Sequence, residues 1–442
     1  MSSRPSGAQR LSGAQRRGLA GRILMDVTPL RVSRDYRALI GGQLVSSLGT
    51  QLTAVAVPFQ VYEMTRSSLD VGLVSLTQLV PLIIGSLWGG TLVDAMDRRK
   101  LLMIEEVLAA LMTTGLAVNA DLLHALWPLF VFPAATAALS GIDSSARNAM
   151  IPGMVGLRLV PASNALFQSL FQMGAIVGPA LAGLLLAGAG IKVVFWLNVA
   201  SFLLSVLAVS FLSPQPPQGT IIRPGLRSIL DGFRFVRQSQ QVQGAYLIDV
   251  NAMVFGLPRA LFPALAITTF GGGATTVGLL YAAPGVGALI GAVTTGWVGQ
   301  IRRQGLAVTI AVIVWGAAIT AFGLVPWLWA ALPLLAVAGW ADVISAVFRN
   351  TIIQFAGPDA MRGRLMGVQM AVVTGGPRLG DLEAGAVANA FGDPTSIVSG
   401  GLACIVGALL VARALPGFRH QQVPAGVAAA DPGEEPVPDA VA

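Results

Sequence analysis

VGLVSLTQLVPLIIGSLWGGTLV, Val71–Val93, contains no Asp, Glu, Lys or Arg, yet five of the next seven residues, DAMDRRK from Asp94 to Lys100, are charged. A helix that crosses the hydrocarbon core of a bilayer needs about twenty predominantly apolar residues, because its backbone groups must be satisfied within the segment. Val71–Val93 meets that length, and the charge step at Asp94 marks its return to water. The same alternation recurs to either side. Spans are predicted at Ala38–Glu63, Val71–Val93, Leu101–Asn119, Ala125–Ile142, Ala165–Ala187 and Ile191–Leu212. A second set is predicted at Gly244–Thr269, Thr276–Val298, Leu306–Val325, Trp327–Phe348, Leu365–Ala390 and Thr395–Ala412. The fold class expected is an all-α membrane protein of twelve transmembrane helices in two six-helix halves.

Composition agrees. The chain is 54% hydrophobic and 11% charged, against about 25% charged in soluble domains, too few charges to cover a water-soluble fold of this length. A net charge of +7 in a soluble chain would raise nucleic acid as a partner, but there is no aromatic-interleaved basic patch. Topology explains the bases instead. With both termini cytoplasmic, 24 of the 28 Lys and Arg fall on the inner side, as positive loops do. Arg66 and Lys192 lie at the outer side, and Arg259 and Arg378 lie within spans.

Residues 1–37 form an Arg-rich cytoplasmic segment without the apolar core of a signal peptide, and Met25 leads directly into the first span. Residues 38–213 make the N-terminal half and 244–412 the C-terminal half. Between them, residues 214–243 form a cytoplasmic linker with Pro214, Pro216, Pro217 and Pro224. There Leu226, Ile229, Leu230, Phe233 and Phe235 recur at helical spacing beside four arginines, as in a helix lying on an anionic leaflet. Residues 413–442 read as a disordered cytoplasmic tail. The halves repeat, as in many transporters. A shift of 206 places Val71-Gly72-Leu73 on Val277-Gly278-Leu279 and Gly85 on Gly291; a shift of 202 places Arg147-Asn148 on Arg349-Asn350.

VAVPFQVYEMT (Val55–Thr65), GGTLVDAMDRRK (Gly89–Lys100), GPALAG (Gly178–Gly183), RALFPALA (Arg259–Ala266) and GLLYAAPGVGALIGA (Gly278–Ala292) resemble the major facilitator superfamily, in its enterobactin exporter branch. The resemblance implies the major facilitator fold and names the cargo only loosely. Gly90, Leu92, Asp94, Arg98 and Arg99 resemble motif A, with Ala95 and Asp97 departing from it. Gly90 would permit close helix contact. By resemblance Asp94 caps the eleventh span near Leu365, and Arg98 or Arg99 reaches Asp143, giving a cytoplasmic gate of Gly90, Asp94, Arg98, Arg99, Asp143 and Arg147. The second half has Gln300 where Asp94 would be, so the latch is expected on one side only. Gly174, Gly178, Pro179 and Gly183 resemble motif C, an exporter motif of the fifth span; the plainer account is a small-residue packing face.

Charges inside a span cost at least about 2.5 kcal/mol at its centre and call for a partner or a role. Arg259, placed deep in the seventh span, and Arg378, Asp381 and Glu383 in the eleventh are therefore transport and coupling candidates, with Asp249 and Asp342 behind them. Arg378 and Asp381, three apart, are expected to pair, either as part of a proton-exchanging network or as a static pair. The fourth span as predicted carries no Arg, and the first has Thr50 at its middle where related exporters often have an acid. Glu105 and Glu106 are expected to pair with the Arg98–Lys100 bases at the interface.

No GxxxxGK[ST] loop, HExxH, GxSxG or metal-ligand cluster is present, and the one cysteine, Cys404, leaves no disulfide or CxxC pair. The expectation is therefore no enzyme, no cofactor and no metal. The expected function is export of an amphipathic small molecule, siderophore or drug, by alternating access driven by protons. The alternatives are a uniporter or importer of the same fold, or a non-transporting receptor. Partners are the substrate, protons and lipid, with the chain a monomer in the bacterial plasma membrane.

Overall fold

The computed structural model describes residues 26–216, 234–356 and 362–421. The linker's amphipathic stretch up to Phe233 and the tail beyond Gln421 lie outside the described residues. Long helices dominate, and no strand occurs among the described residues. Eleven helices are long and apolar enough to cross a membrane: α1 Arg34–Thr65, α2 Ser68–Ala95, α3 Arg98–Leu123, α4 Pro128–Val155, α5 Leu157–Gly188, α6 Gly190–Ser210, α7 Gln240–Thr268, α8 Ala274–Thr294, α9 Gln304–Leu324, α10 Leu328–Phe355 and α12 Asp393–Ala414. Between the last two lies α11, Arg362–Phe391. It is as long as the others but carries Arg362, Arg364, Arg378, Asp381 and Glu383.

Local chemistry sets the helix ends. Ser33 accepts the Tyr36 amide at the start of α1, Ser67 accepts that of Asp70 before α2, and Asp97 accepts that of Lys100 before α3, each satisfying an amide that has no partner in the helix. α7 is interrupted. It is helical from Gln240 to Phe255, breaks through Gly256 and Pro258, resumes as a single turn at Arg259–Leu261 and continues from Phe262. Proline removes a donor from the ladder there.

Several helices outrun their predicted spans. α4 continues from Ile142 to Val155 and α10 from Phe348 to Phe355, because hydropathy marks the bilayer crossing and not the last hydrogen-bonded turn. α4 therefore carries an arginine, Arg147, on its extension beyond the predicted span.

Helices 1–6 pack among themselves through α1 with α6, α2 with α4 and α3 with α6; α7 with α12, α8 with α10 and α9 with α12 repeat that pattern. The two groups meet through α2 with α11 and α5 with α8. Glycines set the closeness of these contacts. A Cβ on Gly85 would strike the Ala138 backbone of α4, and one on Gly287 would strike that of Ala336 in α10. The structural counterpart of Gly85 is thus Gly287, 202 residues on, and not Gly291. Gly291 instead faces Val343 as Gly89 faces Ile142.

Candidate functional site

Three groups of polar side chains sit within the bundle. The first lies where the halves touch. Asp381 of α11, 9% exposed, accepts the Ala260 amide at 3.1 Å, so its carboxylate holds the turn that interrupts α7. Ser75 of α2 lies beside the same carboxylate, and a Cβ on Gly72 of α2 would strike the Asp381 carbonyl. One residue thus joins α2, α7 and α11. Arg259 is exposed on the broken turn rather than buried in continuous helix, and its carbonyl accepts the Tyr281 hydroxyl at 3.1 Å. Arg378 and Asp381 form no ion pair; Arg378 donates to Thr374 O one turn back at 2.7 Å. The expected pairing fails because the Asp381 carboxylate is turned to Ala260. Glu383 is half-buried and makes no hydrogen bond or ion pair among the described residues.

The second group lies in the N-terminal half. Arg147 of α4 bonds Glu106 of α3, and its Nε lies 2.5 Å from Asp143 one turn back. Ser205 of α6 donates to Glu106 at 2.5 Å. Glu105 is buried beside them. Glu106 is thus drawn inward to Arg147 and not to the interfacial bases. Neither Arg98 nor Arg99 reaches Asp143, as motif A had implied: Arg98 donates to Ala149 O of α4 at 2.9 Å and Arg99 to Ser210 O of α6. Arg147, on the same helix face as Asp143, takes that carboxylate first.

The third group is its partner in the C-terminal half. Arg349 of α10 lies 2.9 Å from Asp249 of α7 and 3.8 Å from Asp342, and donates to Ser345 Oγ at 2.7 Å. Gln369 of α11 donates to Asp249 at 3.3 Å. The sequence had singled out these acids one by one, and the Arg147/Arg349 repeat was its signal that the two groups correspond. The acids that meet the arginines from other helices come from α3 in one half and α7 in the other, so no shift of the sequence aligns them.

At the end of α2 the Asp94 side chain makes no hydrogen bond or ion pair among the described residues, and Leu365 O is occupied by the Tyr246 hydroxyl at 2.7 Å. Gly90 has open space where a Cβ would go; the neighbouring Gly89 makes the α4 contact. The loop is instead tied to its own half, with Arg98 N donating to Gln215 O and Gln215 N to Asp97, both at 3.0 Å. At the opposite end the halves are joined. Ser68 Oγ donates to Asp393 at 3.0 Å, and Gly183 of α5 meets Gly278 of α8 so closely that a Cβ on either would strike the other's backbone. Of the motif C residues, Gly174 and Gly178 face α1 at Ser47 and Gln51, while Pro179 and Gly183 face α8.

The family described as transmembrane secretion effector matches residues 26–433. The enterobactin exporter EntS of Escherichia coli K12 is 28% identical over 410 residues, which cover 92% of this chain and 98% of that one. EntS of Shigella boydii serotype 18 is 29% identical with the same coverage. Among solved structures, the nucleoside transporter NupG superposes with a TM-score of 0.68 at 12% identity, covering 88% of this chain and 100% of that one. A D-xylose-proton symporter gives 0.67 at 16%, covering 87% and 98%. The similarity runs the length of the bundle, and the proteins it reaches are transporters, not enzymes.

Proposed function

The chain belongs to the transmembrane secretion effector family of the major facilitator superfamily, and from that premise we propose that it exports an amphipathic small molecule, of siderophore or drug type, across the bacterial plasma membrane by proton-driven alternating access. The observation that carries this reading is the one-ended contact between the halves. They are joined at Ser68–Asp393 and Gly183–Gly278, while among the described residues Asp94 makes no hydrogen bond or ion pair to the other half. α11 serves as the twelfth span, and both termini lie in the cytoplasm with the Asp94 loop. The conformation is then the inward-facing one of an alternating-access cycle, with Asp94 released; the latch to the start of α11 forms when the halves rock to close that end. The enterobactin exporters matched over nearly their whole length support a small-molecule cargo of siderophore type and the outward direction.

Asp381 is positioned to link a proton to that motion. As a carboxylate it holds the Ala260 amide and lies beside Ser75 of α2 in the other half. Protonation removes the charge that makes it a strong acceptor, loosening the α7 turn and the Ser75 contact together. Arg259, exposed on the same turn, and Arg378 supply the positive charge near it, and Glu383 is a second exchangeable acid. Asp249, held by Arg349, maintains the inner end of the C-terminal half.

The test is transport into vesicles by Asp381→Asn. Substrate movement is expected to persist down its own gradient while the drive by a pH gradient is lost at least tenfold. An unchanged response to the pH gradient excludes Asp381 as the proton carrier.

A further inference from the structure

Glu105, Glu106 and Asp143 each place a carboxylate oxygen within 4.8 Å of the others. Glu105 and Glu106 are 5% and 1% exposed, and the single guanidinium among them, Arg147, is 5% exposed. Arg147 spends Nε on Asp143 and Nη2 on Glu106, and its Nη1 is buried with no partner. Glu105 takes part in no hydrogen bond among the described residues; its Oε2 and that of Glu106 are buried acceptors without a donor. The charged groups that face Glu105 are Asp143 and Arg147 of α4 and Glu106 of its own helix, and α6 contributes the neutral Ser205.

Fully ionised, this cluster holds three negative charges against one positive in the interior of a membrane bundle. Like charges this close in a low-dielectric interior repel strongly. A single proton resolves both anomalies. It removes one charge, and a protonated Glu105 becomes a donor that a neighbouring unpartnered carboxylate oxygen accepts. The counterpart in the other half needs none. Ser345 stands where Asp143 does, and Arg349 meets the buried Asp249 at 2.9 Å, with the more exposed Asp342 farther off at 3.8 Å. A divalent cation is disfavoured, because it would sit against the guanidinium already bonded to two of the three carboxylates.

We propose that Glu105, Glu106, Asp143 and Arg147 form a buried proton-binding site in the N-terminal half, one exchangeable proton being shared among the three carboxylates. The site lies about two helical turns from the loop whose Arg98 and Arg99 grip α4 and α6, the helices that with α3 enclose it. Its occupancy therefore bears on the loop that carries Asp94. The use of that proton in coupling rests on the transporter reading; its presence does not, and is measured without transport.

The experiment is infrared difference spectroscopy on the purified full-length protein in lipid discs from pH 5 to 9, comparing wild type with Glu105→Gln and Glu106→Gln. Because the proton belongs to the cluster, both variants are read. The result expected is a buried carboxylic-acid carbonyl band in the wild type that is lost in at least one variant and is insensitive to millimolar Mg²⁺ or Ca²⁺. If Glu105→Gln does not fold, Glu106→Gln alone is compared in the same way. Spectra that superimpose at every pH in each folded variant, or a band abolished by the cations, overturn the proposal.

Discussion

Asp249 is wholly buried, and its charge is met by Arg349 at 2.9 Å. Removing one partner of such a pair leaves an uncompensated buried charge, a loss of about 3–5 kcal/mol. Arg349→Leu is therefore expected to lower the thermal midpoint of the purified protein sharply, and Asp249→Leu added to it to restore most of the loss. A double variant no more stable than the single one would contradict a pairwise role. At the end of α2, Asp94→Asn is expected to leave protein level unchanged and to reduce transport severalfold, since only the latch of the closed inner end uses that charge; full activity would remove the latch. These residues differ in how readable they were. Asp94 and Asp249 stood out as acids at the margins of apolar runs. The bond from Asp381 to the Ala260 amide was hidden, because it depends on a break in α7 that places a backbone amide where an unbroken helix would have none free.

α5 and α8 approach through Gly183 and Gly278, and no side chain separates them. Gly183→Leu is expected to push these helices apart at the joined end and so favour the state in which that end is open. In a Cys404→Ser background, which removes the one native thiol, a cysteine at Ser68 is predicted to react severalfold faster with an impermeant maleimide when Gly183→Leu is present. Equal rates would mean that the contact does not hold that end. Of the motif C residues, Gly174 and Gly178 pack on α1, and Pro179 and Gly183 contact α8 of the other half. Element boundaries were the least legible feature. Apolar runs located the long helices, but the polar C-terminal ends of α4 and α10 remain helical, and these ends carry Arg147 and Arg349. The register between α2 and α8 likewise needed the packing. Interface glycines Gly72 and Gly278 are 206 apart while the packing glycines Gly85 and Gly287 are 202 apart, a difference of about one helical turn.

At the scale of the molecule, the repeat in sequence becomes two helix groups with matching internal contacts and one charged cluster each, and the asymmetries between them are where function is expected. One half carries the Asp94 loop and an excess of buried acid; the other carries the broken α7 and the charged α11. Hydropathy and charge placement made the two-half plan legible, since a bilayer imposes length and sidedness on every span. Which acids meet which bases was not legible, because that is decided by helix packing across hundreds of residues. The central claim is outward transport driven by protons. It is tested most directly by inside-out vesicles holding the full-length chain, supplied with a panel of siderophores and drugs with and without an acid lumen. Accumulation of at least one amphipathic compound, several times greater with the acid lumen and abolished by an ionophore that collapses the gradient, is the predicted result. Accumulation of a cargo that ignores the gradient, or movement of cargo only out of the vesicles, would contradict it.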